Sequence, residues 1–173
     1  MASSRNIPTL DRGILSEGHQ EARLQIIEML KKAYWMEIET VMSYITNSIN
    51  PDGLRGQEVI EALQADIQEE LNHAQEFARR IKELWGVVPG SLEFKAEQIY
   101  LQPPSTQIDI VHVIKGVIAA ERGAIEFYNK IIEACDGVDF VTQDMVISVL
   151  RDEESHLRLF EGFLREFEAK GLA

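Results

Sequence analysis

Glu69-Glu70-Leu71-Asn72-His73-Ala74 and Arg151-Asp152-Glu153-Glu154-Ser155-His156 decide how this chain is read. Both contain Glu-x-x-His. On a helix, residues three apart lie about 60° from each other, so the Glu and His of each stretch can point at one object. Moving outward, Glu37 precedes Glu70 by nearly the same interval as Glu121 precedes Glu153, the first interval being one position longer. Tyr44 follows Glu37 by seven residues, and Tyr128 follows Glu121 by seven. Seven residues return a helical side chain to within roughly 20° of its starting direction. The chain therefore reads as two similar halves, each a helical hairpin carrying the same polar residues at nearly the same places.

The surrounding residues repeat apolar positions in steps of three and four, which is one face of a helix. Helix one runs from about His19 with Ile27, Leu30, Tyr34, Glu37, Val41, Tyr44 and Ser48 on that face, until Asn50-Pro51-Asp52-Gly53 stops it. Helix two runs from about Leu54 to Trp85, with Val59, Leu63, Asp66, Glu70, His73, Phe77, Ile81 and Leu84 inward. A long irregular stretch, about Val87 to Ser105, carries Pro89, Pro103 and Pro104. Such a length is unusual inside a domain unless it crosses the whole bundle, so that helix three runs parallel to helix two. Thr106 to Asp109 resembles a capping box at the start of helix three. That helix reaches about Cys135 and turns inward Val111, Ile114, Ile118, Glu121, Ile125, Tyr128 and Ile132. Asp139 is a candidate N-cap for helix four, about Phe140 to Ala169, with Val149, Glu153, His156, Phe160, Phe163 and Phe167 inward. No strand pattern appears. The expected fold is an all-α antiparallel four-helix bundle with a long crossover between helices two and three. Residues 1–18 form an aperiodic N-terminal arm and residues 19–173 the bundle domain.

Glu37, Glu70, Glu121 and Glu153 sit where Leu or Ile belongs. Four carboxylates buried together repel one another and must be neutralised. Two divalent cations balance four negative charges, and His73 and His156 add neutral nitrogen donors. One Glu from each of two helices plus Glu-x-x-His from each of the other two is the donor set of carboxylate-bridged di-iron and di-manganese bundles. The alternative, polar residues paired with Lys or Arg across the bundle, finds no Lys or Arg on the inner stripes beside them. The expected metal ligands are Glu37, Glu70, His73, Glu121, Glu153 and His156. Glu and His suit iron and manganese alike. Glu39 lies about 200° from Glu37, and Glu126 about 140° from Glu121, so both should face away. Glu69 and Asp152 either accept hydrogen bonds from the ligand histidines or are ordinary solvated acids. Tyr44 and Tyr128 are either plain core residues with their hydroxyls satisfied locally, or residues that hydrogen-bond a ligand or donate an electron. His112 lies about 180° from Glu121 and His19 on the arm, so neither is expected to bind metal.

The 173 residues suit one domain. A composition 45% hydrophobic and 27% charged is that of an ordinary globular chain. A net charge of −12 opposes nucleic-acid binding and anionic membrane surfaces and favours cations. Cys135, the one cysteine, permits no internal disulfide and no cysteine-type zinc or iron–sulfur site. It reads as a buried small hydrophobe. With no signal-like or membrane-spanning apolar run, a cytoplasmic location is expected.

The two histidine stretches resemble the second- and fourth-helix motifs of bacterioferritin, and residues 20–169 resemble the ferritin-like superfamily, Dps-like proteins included. The resemblance implies a di-iron centre, two iron ions per subunit, that oxidises Fe(II) with dioxygen or hydrogen peroxide. In storage members it also implies an oligomeric shell that holds the mineral. Leu71 occupies the position of bacterioferritin's haem-binding Met, so haem is not expected. Ala124 stands where rubrerythrins carry an additional third-helix Glu. With 17 residues after His156, a fifth helix is not expected, and a shell smaller than 24 subunits fits better. A non-storing di-metal oxidase or rubrerythrin-like peroxidase acting as a small oligomer uses the same ligands, as does a non-catalytic metal-binding bundle.

Overall fold

Four long helices form where the three-four periodicity runs: α1 (Gln20–Ile49), α2 (Gln57–Glu83), α3 (Ile110–Cys135) and α4 (Phe140–Ala169). The computed structural model describes residues 9–173. Met1 to Pro8, part of the sequence assigned to the arm, lie outside the described residues. The described end of the arm docks on its own bundle. Ile14 and Ser16 are buried, and the buried Arg23 donates to their carbonyls at 2.8 and 3.3 Å.

The helix ends follow local chemistry. Asp139 caps α4, accepting from the Thr142 N–H at 3.0 Å. At α3 the cap is Asp109 itself, which accepts from the His112 N–H at 3.0 Å. The helix thus starts four residues later than Thr106, and the expected capping box is not the device used. A short 3₁₀ turn, Leu54–Gly56, precedes α2. Helix α2 ends in a Schellman motif. The Gly86 N–H bonds the Ile81 carbonyl at 2.8 Å and the Trp85 N–H the Lys82 carbonyl at 3.0 Å. Trp85 holds the left-handed position usually given to glycine, with φ 67°. The Arg23 guanidinium stacks 4.4 Å from its ring, a cation–π contact.

The hairpins α1–α2 and α3–α4 pack face to face. Tyr44 of α1 bonds Glu121 of α3, and Tyr128 of α3 bonds Glu37 of α1, so these helices run antiparallel. His73 and Asp152, with Glu69 and His156, show the same for α2 and α4. Two apolar clusters fill the interior. One gathers Leu30, Phe77, Ile81, Ile131 and Val149, the other Val59, Leu63, Ile114, Val117 and Phe160. The polar residues of the motifs form the layer between them. Cys135 lies in the first cluster, where burial pushes its thiol up to about 12. The crossover lies against α1 and α3, with 3₁₀ turns at Ser91–Glu93 and Ile99–Leu101. A Cβ on Gly116 of α3 would meet the Tyr100 carbonyl at 2.7 Å. Only glycine allows backbone to come this close. No helix among the described residues is long and apolar enough to cross a membrane.

Candidate metal centre

All six candidate ligands are buried at mid-bundle, with one Glu from each of α1 and α3 and one Glu-x-x-His from each of α2 and α4. Their donor atoms form two groups of four: Glu37, Glu70, His73 and Glu153, then Glu70, Glu121, Glu153 and His156, each within 4.8 Å of one another. Glu70 and Glu153 belong to both. Glu70 turns Oε1 toward His156 Nδ1 at 3.2 Å and Oε2 toward His73 Nδ1 at 3.7 Å. Glu153 mirrors it, with Oε1 3.2 Å from His73 Nδ1 and Oε2 3.7 Å from His156 Nδ1.

The remaining atoms of the ligands are held by the opposite hairpin. Tyr44 donates to Glu121 and Tyr128 to Glu37. His73 Nε2 lies 3.3 Å from Asp152, and His156 Nε2 lies 3.2 Å from Glu69. Both imidazoles are thereby turned with Nδ1 inward. Glu126 is exposed, as its angle on the helix indicates. His112 is exposed and bonds the Gln102 carbonyl, away from the cluster.

Glu39 points away from the cluster, as its angle on the helix indicates, and it is buried at 3% exposure. Its carboxylate accepts the Glu97 N–H at 2.9 and 3.0 Å and the Gln98 N–H at 2.8 Å. Beside it, Asn47 donates to the Leu101 carbonyl at 2.9 Å. The sequence signal was present, a second polar stripe of Glu39, Ser43 and Asn47 at steps of four. Periodicity cannot tell a stripe covered by distant backbone from a solvated one. Asp66, noted only as an inward residue of α2, lies 3.8 Å from His156 Nε2. Burial lifts it to about 6 against the pull of the His156 imidazole.

The electrostatics of the cluster favour cations. Burial, then the Glu153 and Glu70 charges, push Glu37 and Glu121 well above the usual carboxylate range. Burial alone would disfavour charged imidazoles, but the facing carboxylates of Glu153 and Glu70 outweigh it, holding His73 up to about 10 and His156 up to about 12. Burial would likewise raise Glu70, yet His156 and His73 bring it down to about 2. Burial, followed by the Glu121 charge at Tyr44 and the Glu37 charge at Tyr128, keeps both phenols protonated. Protons on Glu37, Glu121, His73 and His156 do for the metal-free protein what four positive charges on two divalent ions would do. The donor chemistry fits such ions. Both oxygens of Glu70, Oε1 of Glu153 and both inward Nδ1 atoms are buried without a hydrogen-bond partner among the described residues. Buried polar atoms ordinarily have a partner, and here a cation would be it.

Residues 27–169 match the ferritin-like domain. The chain belongs to the ferritin-like family. It is 29% identical over 145 residues to the DNA protection during starvation protein of Pyrococcus furiosus, covering 81% of this chain and 77% of the relative. It is 25% identical over 148 residues to the bacterioferritin of Desulfovibrio desulfuricans, covering 85% and 78%. The structure of that bacterioferritin, whose diiron site has been seen in different catalytic states, superposes with a TM-score of 0.73 at 24% identity, over 87% of this chain and 84% of the other. A dodecameric thioferritin, the bacterioferritin-related protein from Bacteroides fragilis, superposes at 0.74 with 23% identity, over 86% and 89%. The chain is thus a ferritin-like protein similar to bacterioferritin and Dps proteins, and its buried carboxylate–imidazole cluster is consistent with a di-iron site.

Proposed function

We propose that this protein is a di-iron ferroxidase that oxidises Fe(II) for storage and detoxification inside an oligomeric shell. The observation that carries the reading is the pair of four-residue donor groups sharing Glu70 and Glu153. Glu37, Glu70, His73 and Glu153 would hold one iron, and Glu70, Glu121, Glu153 and His156 the other. Iron held by these residues would supply the two electrons that an oxidant, dioxygen or hydrogen peroxide, takes up. Manganese fits the same donors, and Leu71 leaves no Met for haem.

The protein's own work is positioning. Glu70 and Glu153, which belong to both donor groups, would be shared by the two halves of the centre. Tyr44 and Tyr128 hold one oxygen of Glu121 and Glu37 and restrict rotation of those carboxylates. Asp152 and Glu69 take the Nε2–H of the histidines, which keeps the Nδ1 lone pairs inward and raises their basicity. Asp66, Glu69 and Asp152, on the α2–α4 side, give Fe(II) an acidic approach, within a chain of net charge −12. The Pyrococcus and Bacteroides relatives support a shell of the Dps type.

The test adds Fe(II) aerobically, in excess over two per subunit, to metal-free protein, then measures iron after size-exclusion chromatography. Many irons per subunit on a large particle is the expected result. Fast oxidation with about two irons per subunit on a small oligomer would replace storage with a non-storing oxidase or peroxidase. Oxidation no faster than buffer would remove the ferroxidase reading and leave a metal-binding bundle.

A further inference from the structure

Gln98, on the crossover, is 4% exposed, and its side-chain oxygen Oε1 is buried with no hydrogen-bond partner among the described residues. Everything else about this residue is tied down. Its N–H donates to Glu39 at 2.8 Å, and its Nε2 donates to Thr40 Oγ1 at 2.9 Å and to the Met36 carbonyl at 3.3 Å. A carbonyl can only accept, so the amide nitrogen must be the atom facing Met36. That fixes which way the amide lies and leaves Oε1 on the other side.

Gln98 lines a chamber of about 10 Å³ together with Met36, Thr40, Tyr128 and the four glutamates of the cluster. It has room for one water-sized oxygen species. Gln98 and Met36 also line an open groove of about 570 Å³ between α1, the crossover and α3. Gln98 therefore stands where the groove meets the chamber. A buried carbonyl oxygen ordinarily has a hydrogen-bond donor, and Oε1 has none among the described residues. The Tyr128 hydroxyl is given to Glu37.

We propose that Gln98 Oε1 accepts a hydrogen bond from a protic oxygen species in the chamber, water at rest and hydrogen peroxide in turnover, and so biases the centre toward peroxide over dioxygen. The inference rests on the ferroxidase reading for its second half. Dioxygen carries no proton and cannot satisfy the carbonyl, whereas hydrogen peroxide can. The reaction balances as follows: two Fe(II) each give one electron, the O–O bond of one hydrogen peroxide breaks, two protons are taken up from solvent, and two Fe(III) and two waters result. Gln98 is a positioning residue in this step and exchanges no electron or proton.

Two measurements test it. A high-resolution crystal structure of the metal-free wild-type protein should show a water in the chamber within hydrogen-bond distance of Gln98 Oε1; an oxygen left dry overturns the proposal. Fe(II) oxidation is then followed with each oxidant in wild type and Gln98→Met, with anaerobic Co(II) titration showing that both metal positions survive. Loss of one hydrogen bond should lower kcat/KM for hydrogen peroxide about tenfold and leave the dioxygen rate within about twofold. Equal losses with both oxidants would make Gln98 a strut for the crossover and overturn the peroxide role, as would no loss with either. Wild-type protein that binds two Co(II) but oxidises Fe(II) with neither oxidant would overturn the ferroxidase reading and the peroxide half together. The crystallographic water would still decide whether Gln98 is an acceptor.

Discussion

Glu70 and Glu153 differ from Glu37 and Glu121 in a way that a metal titration can read. Each belongs to both donor groups, while Glu37 and Glu121 each belong to one. Replacing Glu70 with Ala should therefore abolish binding of both ions. Glu37→Ala should leave one Co(II) per subunit on the His156 side. Anaerobic Co(II) titration with metal analysis after dialysis distinguishes the two, and a Glu70→Ala protein that keeps two ions would rule out the shared arrangement. These acids were legible in the sequence because carboxylates on an apolar stripe are costly, and the repeat spacing named them. Glu39 and Gln98 were not, because their burial comes from contacts across 58 and 59 positions of chain, and a stripe covered by distant backbone has the same periodicity as a solvated one.

At the scale of elements, the crossover is held to α1 by polar contacts as well as by apolar ones, the Trp35–Phe94 ring pair and the buried Leu101. Glu39 takes two crossover N–H groups, Thr40 takes the Gln98 amide, and Asn47 donates to the Leu101 carbonyl. Hydrogen bonds to a charged group contribute about 1.5–3 kcal/mol each when buried partners would otherwise be orphaned. Glu39→Ala should thus destabilise by about 3 kcal/mol and lower the Tm by about 6–12 °C. Hydrogen exchange should quicken first at the Glu97 and Gln98 amides. Unchanged protection there would show that Glu39 does not anchor the crossover. The four helices were readable with ends within a few residues, since periodicity and turn residues act locally. The path of the crossover was readable only in outline. Its length implied a traverse, but Gly116 and the Glu39 stripe determine which helices it lies against.

For the whole molecule, the buried cluster couples folding to protons and to metal. His73 and His156 bind protons more tightly folded than unfolded, so they contribute stability that is complete below their ordinary value near 6.5. That stability is lost as pH rises toward about 10 at His73 and about 12 at His156. Glu37 and Glu121 are also raised, and their folded forms keep protons that the unfolded chain releases above about 4.5. All four act in one direction. The Tm of the metal-free protein should fall steadily between about pH 5 and pH 9, and Zn(II) should restore more stability the higher the pH. Thermal denaturation with and without Zn(II) across that range checks it; a flat or rising metal-free curve would mean the cluster does not carry these protons. What the sequence alone determined was the all-α class, the two-hairpin repeat and which six side chains face inward, because helical periodicity and the cost of burying charge are local facts. Tertiary structure alone decided the cross-hairpin pairing of each tyrosine and histidine, the burial of Glu39 and the unpartnered oxygen of Gln98. Those depend on which residues, far apart along the chain, compete for the same small volume.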